Sequence, residues 1–187
     1  LTDYQWVSVE ALQVQWLMGW FKRWFCHRDT ILVKGEHEPE YFAATDTEPA
    51  KIVFAHGFFA SALHEISHWC MAGQKRRLLN DFGYWYAPDG RNEEQQQQFE
   101  QVEILPQAIE CLLTLACNKP FSVSKDNLFA DFDTSQSTFE ADVQAQAVKF
   151  WQTGQKLSTD AKVLLSQLTK LRPLPLRSEE NTSELQS

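Results

Sequence analysis

The segment His64-Glu-Ile-Ser-His68 constrains the fold more than any other part of the chain. It lies in a stretch from Phe59 to Ala72 whose apolar residues recur at helical spacing, and Gly73 is suited to end such a helix. Histidines at positions i and i+4 project from one face of a helix, about one turn apart, so both rings can reach one metal ion. The sequence therefore predicts a helix that carries an HExxH metal-binding motif.

A site with two histidines requires a third protein ligand, and a carboxylate is the usual choice. Glu100 and Glu103 share a face of a second predicted helix, and Glu110 follows one or two turns later. Glu103 lies between two apolar residues and is the first choice for a buried ligand, with Glu100 second and Glu110 weaker. The alternative is that the histidines are ordinary helix residues and the acids are solvated charges.

Two chemistries fit a site of two histidines and one carboxylate with open coordination positions: catalytic zinc and non-haem iron that activates oxygen. In a zinc peptidase, Glu65 would be the general base that activates water. In an iron hydroxylase, Glu65 would instead orient a ligand or a metal-bound water. The motif by itself favours the peptidase. A third hypothesis is a binding module that keeps HExxH as core residues and binds no metal.

The remaining sequence predicts an α+β fold: a mostly helical single domain with a few short strands and the HExxH motif on a central helix. Residues 35–51 are polar and are predicted to form a loop. Pro106 marks either a kink or a new helix start. Further helices are predicted at 8–26, from 92 to about 102 with a helical stretch continuing past Pro106 to 116, at 136–152 and at 159–171, and strands at 31–33 and 52–55.

In the first predicted helix, seven apolar residues follow helical spacing, which favours packing in the core over binding to a membrane surface. They are Val9, Leu12, Trp16, Leu17, Trp20, Phe21 and Trp24.

Composition argues against several functions. The chain has 17 Lys and Arg against 25 Asp and Glu, a net charge of -8, which disfavours a general nucleic-acid binder because an acidic surface repels phosphates. No run of 18 apolar residues exists, so we expect no membrane-spanning helix. The four cysteines have no CxxC spacing, which favours reduced thiols in the cytoplasm.

The ends of the chain lead to an expectation about domain limits. Leu1 stands where a start methionine is expected, so the N-terminus is expected to be incomplete. Residues 177–187 resemble the translation of a sequencing adapter. We expect one metal-dependent domain at residues 1–172 and an unstructured, artefactual tail at residues 173–187.

Four segments carry a resemblance to a known family: IVFAHGFFASALHEISHWCMAG at 52–73, DFGYWYAPDGR at 81–91, FEQVEILPQA at 99–108 and PFSVSKDNL at 120–128. Together they resemble the elongation factor P hydroxylase family. The likeness runs in order from about Leu32 to Phe150, roughly two-thirds of the chain, and is more specific than HExxH alone.

This resemblance implies a cytoplasmic, metal-dependent monooxygenase of unusual fold. It implies hydroxylation of the lysine of elongation factor P that already carries a β-lysyl group, with Fe(II) as metal and dioxygen as co-substrate. A requirement for 2-oxoglutarate is not indicated. His64 and His68 stand where the family's HExxH ligands lie, and Glu103 is expected to be the carboxylate ligand. The resemblance reverses the motif's preference, so the iron hydroxylase becomes the favoured hypothesis.

A substrate with ammonium groups favours an acidic site mouth, and the segment after the HExxH helix supplies candidates. Tyr84 and Tyr86 would share a face if this segment were a strand, and Asp81 lies close by. We therefore expect these three residues to contact the substrate. The alternative is a hydrophobic strand that ends in a Pro-Asp-Gly turn.

Overall fold

A computed structural model of the 187-residue chain describes residues 8–83, 91–124 and 137–171. These residues form α-helices and one small sheet, which confirms the predicted α+β class. The helices are α1 (Val9–Phe25), α2 (Phe59–Arg76), α3 (Glu93–Ala116), α4 (Phe139–Thr153) and α5 (Thr159–Leu171), and the strands are β1 (Thr30–Lys34), β2 (Glu40–Phe42) and β3 (Ala50–Phe54). None of the described helices is both long and apolar enough to cross a bilayer. The domain limits at residues 1 and 172 lie outside the described residues and stay predictions.

The sheet has the order β1-β3-β2, with β1 parallel and β2 antiparallel to the central β3. The prediction of a loop at 35–51 was wrong for β2, a strand of three residues in which only Tyr41 is buried. Side chains from a distant segment complete its outer edge, because Tyr41 N donates to Asp81 Oδ1 (2.9 Å) and Ala43 N donates to Asn80 Oδ1 (2.9 Å). A strand this short, stabilised from 40 residues away, leaves no local pattern to detect.

Helix α1 packs on the sheet and on α2 through a narrower face than predicted. Leu17 and Phe21 are buried as expected, and Phe21 packs edge-on against Trp69 of α2 with ring centroids 5.4 Å apart. Leu12 and Trp16, by contrast, are exposed. The sequence did not distinguish the two apolar stripes because both have helical spacing, and only the position of the sheet and α2 selects one.

Helix α3 runs without interruption for 24 residues, so the alternative of a new helix start at Pro106 was wrong. Its N-terminus is a capping box, in which Asn92 Oδ1 accepts from Gln95 N (2.9 Å) and Gln95 Oε1 accepts from Asn92 N (3.0 Å). Pro106 removes one backbone donor inside the helix. Helix α3 packs against both α2 and α4.

Asp160, at the start of α5, forms a buried ionic cluster that ties three parts of the fold together. Its Oδ1 accepts from Arg28 Nη2 (3.0 Å), and its Oδ2 accepts from Arg77 Nη1 (2.7 Å). Arg77 also donates through Nε and Nη2 to the backbone oxygen of Trp69. We call Arg28, Arg77 and Asp160 the aspartate clamp.

Candidate metal centre

The HExxH helix α2 faces α3, and this contact brings the predicted metal ligands together. His68 Nε2 lies 3.3 Å from Glu103 Oε1, and His64 Nε2 lies 3.7 Å from Glu103 Oε2. The two Nε2 atoms are 3.1 Å apart. One donor atom from each of the three residues lies within 4.8 Å of the others. Two histidines of α2 and one glutamate of α3 thus place two nitrogens and one oxygen around a common point.

These spacings fit a single divalent ion. With metal–ligand bonds of about 2.1 Å, donors at right angles lie about 3.0 Å apart and donors at the tetrahedral angle about 3.4 Å apart. The closest donor pairs, at 3.1 and 3.3 Å, fall within this interval. Two imidazole nitrogens and one carboxylate oxygen suit zinc or non-haem iron and leave coordination positions open.

Electrostatics within the group favour a bound cation. Burial opposes the charged form of Glu103, but the charges of His68 and His64 and the hydrogen bonds from His68 and Gln107 lower its pKa from 4.5 to about 2. Burial likewise opposes the imidazolium of His64, yet a hydrogen bond to Glu110 and the charges of nearby glutamates raise its pKa from 6.5 to about 10. In the metal-free group at neutral pH, Glu103 is therefore ionised and the His64 ring carries a second proton. A metal ion would take the place of that second proton.

Glu110 contacts the opposite edge of the His64 ring. Its Oε2 lies 2.8 Å from His64 Nδ1, and the residue is 8% exposed. The sequence ranked Glu110 as a weak ligand candidate, and the structure places it against the ring nitrogen that faces away from Glu103 and His68. The group of donors within 4.8 Å contains Glu103 and not Glu110.

Gln107 is a buried residue of this site that the sequence reasoning missed. Its Nε2 donates to Ser124 O (2.7 Å) and lies 3.4 Å from Glu103 Oε2, while its Oε1 accepts from Ser124 N (2.9 Å). Gln107 thus links the carboxylate of Glu103 to the segment that follows α3. The available signal was its position four residues after Glu103, on the same helical face.

Glu100, the second-choice ligand, lies on the same face of α3 but makes other contacts. Its Oε1 accepts from Gln96 Nε2 (3.2 Å), and its Oε2 accepts from Ser137 Oγ (2.7 Å), just before α4. Within the described parts of the chain, the donor group contains Glu103 rather than Glu100. The structure therefore places Glu103, and not Glu100, beside the two histidines, while Glu100 joins α3 to the start of α4.

Glu65 lies between the two histidines and is half-buried. Burial raises the pKa of its carboxyl above 4.5; His64 and His68 oppose this shift, and Glu103 and Glu110 reinforce it. No side chain in the described ranges donates a hydrogen bond to it. Its charge interacts with those of both histidines, and its role in either hypothesis stays a prediction.

Of the three candidate substrate contacts, Asp81, Tyr84 and Tyr86, only Asp81 lies among the described residues. Asp81 is exposed and follows α2, and its carboxylate accepts the Tyr41 N–H at the edge of β2. Tyr84 and Tyr86 lie outside the described residues. Their assignment to the substrate stays a prediction.

Fold and site together define a class: an α+β protein with a candidate centre of two histidines and one carboxylate between two packed helices. The profile of the family described as Elongation factor P hydroxylase matches residues 20–179, so the chain belongs to that family. A similar protein is the Elongation factor P lysine hydroxylase of Haemophilus influenzae, 55% identical over 101 residues. That match covers 54% of this chain and 57% of the relative, so the chain spans little more than half of the relative's length. The family resemblance seen in the four sequence segments is confirmed.

Proposed function

We propose that this chain is the catalytic domain of a metal-dependent hydroxylase that acts on a lysine of elongation factor P. The observation that carries this proposal is the convergence of His64, His68 and Glu103 in a chain that belongs to the family. The similar protein from Haemophilus influenzae is named as a lysine hydroxylase of the same factor. A translation factor as substrate is consistent with a cytoplasmic location.

Fe(II) is the metal that we propose for the site. Bound by two imidazoles and one carboxylate, the ion would supply dioxygen activation. With two electrons from an added reductant and two protons, one oxygen atom would enter a C–H bond of the lysine side chain and the other would leave as water. His64, His68 and Glu103 would hold the ion, and Glu65 would orient a water or ligand beside it. Because α2 and α3 bury this group, with the His64 and His68 side chains only 20% and 12% exposed, the surrounding helices limit access of water.

The charges of the site support a cationic substrate. The carboxyl groups of Glu65, Glu103 and Glu110 lie near two histidines, and no Lys or Arg among the described residues forms an ion pair with them. An ammonium group is attracted to such a site, and lysine carries one. We therefore propose the β-lysylated lysine as substrate, with Asp81, Tyr84 and Tyr86 as candidate contacts.

Metal analysis of protein purified without oxygen tests the proposal first. We expect about one iron per chain in the wild type and none in His64→Ala. With dioxygen and a reductant present, the iron-loaded wild type should then add one oxygen atom to β-lysylated elongation factor P, detected by mass spectrometry, and leave unmodified factor unchanged.

Other outcomes would favour the other hypotheses. Stoichiometric zinc that iron does not displace, with peptide cleavage lost in Glu65→Gln, would favour a zinc peptidase. A folded wild-type protein that binds neither metal would favour a binding module. In the hydroxylase, Glu65→Gln should retain iron and some hydroxylation, because Glu65 is not needed to activate water as a nucleophile.

A further inference from the structure

We propose that Glu110 is a positioning residue, whose carboxylate fixes the His64 ring so that Nε2 faces the metal. This inference rests on the metal site of the proposed function and is independent of the substrate. The carrying observation is the contact of 2.8 Å between Glu110 Oε2 and His64 Nδ1.

The two nitrogens of the His64 ring have separate partners. Nε2 faces His68 Nε2 at 3.1 Å and Glu103 Oε2 at 3.7 Å, whereas Nδ1 faces only Glu110 among the contacts of the described residues. A neutral imidazole carries one proton, and a carboxylate beside Nδ1 keeps that proton there. The lone pair then remains on Nε2, where the metal would bind. Carboxylates that accept from the second nitrogen of a ligating histidine fix its orientation in this way.

The burial of Glu110 requires a partner, and His64 is that partner. Glu110 is 8% exposed, and in the described ranges no Lys or Arg forms an ion pair with it. A buried carboxylate without a partner is strongly unfavourable. The His64 Nδ1–H supplies the hydrogen bond, and a metal on the other side of the ring would increase the positive charge that Glu110 faces.

The helices set this arrangement through their spacing. Glu103 and Glu110 are seven residues apart, so they lie two turns apart on one face of α3. The His64 ring reaches between these two positions, with one carboxylate at each of its nitrogens. Glu103 is thus the residue that contacts the metal, and Glu110 acts on the metal only through His64.

Zinc, which is diamagnetic, allows a direct test in the full chain. In the zinc-loaded wild type, ¹⁵N NMR of the histidine side chains should show His64 with zinc on Nε2 and a slowly exchanging proton on Nδ1. Glu110→Gln should weaken zinc binding about 10- to 100-fold in competition with a chromophoric chelator and should speed exchange of the Nδ1 proton. Glu110→Asp, which keeps the charge on a shorter side chain, should recover part of the affinity.

Glu100→Gln is the matched control, because it makes the same change at a buried carboxylate on the same face of α3. It should leave zinc affinity and the His64 resonances unchanged. Zinc bound through His64 Nδ1, or wild-type affinity together with wild-type Nδ1 exchange in Glu110→Gln, would overturn the inference while leaving the metal site intact. Should Glu110→Gln not fold, the wild-type spectrum alone decides between Nε2 and Nδ1. A folded wild type that binds no zinc would overturn both this inference and the metal site.

Discussion

The protein contains two buried clusters of charged side chains, and they differ in how their charges are balanced. In the aspartate clamp, one carboxylate meets two guanidinium groups, and both Asp160 oxygens accept hydrogen bonds. At the metal centre, three glutamates surround two histidines, and no Lys or Arg pairs with them among the described residues. The clamp has an excess of cations from the protein itself, while the metal centre has an excess of carboxylates.

This difference separates a cluster whose charges hold the fold from the candidate metal site. A buried ion pair whose partners are all supplied by the chain needs nothing further, and its main effect is to hold elements in register. A buried group with surplus carboxylates is balanced either by protons or by a bound cation. The raised pKa of His64 and the lowered pKa of Glu103 reflect the first kind of balance, in which a proton on the ring offsets the nearby carboxylates. Each experiment below tests one side of this comparison.

The largest effect is expected for His68→Ala, which removes a ligand. Zinc affinity should fall by more than about 100-fold, because one of three protein ligands is absent. Loss of a residue that only hydrogen-bonds to a ligand costs less than this. Isothermal titration calorimetry of the metal-free protein with zinc measures this affinity. The control is His27→Ala, an exposed histidine after α1, which should bind zinc as the wild type does. Equal affinity in the two variants would contradict the assignment of His68.

Asp160→Ala tests the clamp. It leaves two guanidinium groups without their carboxylate, and removal of one partner of a buried pair costs about 3–5 kcal/mol. Since the Arg28 side chain is 31% exposed, we expect the lower end, about 3 kcal/mol, from urea unfolding of metal-free protein. Glu140→Ala, at an exposed acid in the first turn of α4, should cost less than about 1 kcal/mol. Unchanged stability in Asp160→Ala would show that the clamp does not hold the fold.

The pH dependence of zinc binding sharpens the comparison. Because the pKa of His64 is raised from 6.5 to about 10 in the metal-free protein, its imidazolium stabilises the fold fully below pH 6.5, and this contribution falls as the pH rises toward 10. Zinc requires the neutral ring, so its affinity should rise by up to tenfold per pH unit over the same window. Thermal unfolding with and without zinc between pH 6.5 and 9 measures both trends. A difference in melting temperature that stays constant with pH would contradict the assignment.

The smallest effect is expected for Gln107→Leu. This change removes both hydrogen bonds to the backbone of Ser124 and the contact with Glu103, but water can reach Ser124, which is exposed. We expect a loss of about 1 kcal/mol in the free energy of unfolding. Gln144→Leu, at an exposed glutamine of α4, is the control and should cost less. If Gln107→Leu also abolished zinc binding, Gln107 would be part of the metal site itself.

Much of the fold could be read from the sequence because its helices carry local signals. The stretch from Phe59 to Ala72 is helical as predicted, and Gly73 with φ 67° ends its regular part. Asn92 caps α3 as expected, and Ser158 caps α5, accepting from Ala161 N. Strand β2 was missed because it is only three residues long and its partners, β3 and the side chains of Asn80 and Asp81, lie elsewhere in the sequence.

The candidate site was also predicted only in part from the sequence. The spacing of His64 and His68 sets their shared face without any knowledge of the fold, since it depends only on helix geometry. Glu103 could be preferred over Glu100 from its apolar neighbours, but Glu100 is buried as well. Their separate contacts, to the histidines and to Ser137, depend on where α2 and α4 pack.

The sequence by itself thus determined the helices, the HExxH motif, the family and the types of the candidate metal ligands, because these depend on residue types and on short spacings. Tertiary structure alone decided which carboxylate joins the ligands, which one turns to the far side of His64, and which apolar stripe of α1 is buried. Those outcomes depend on the angle and register at which two helices meet. Helix packing is set by the whole core, and no local pattern encodes it.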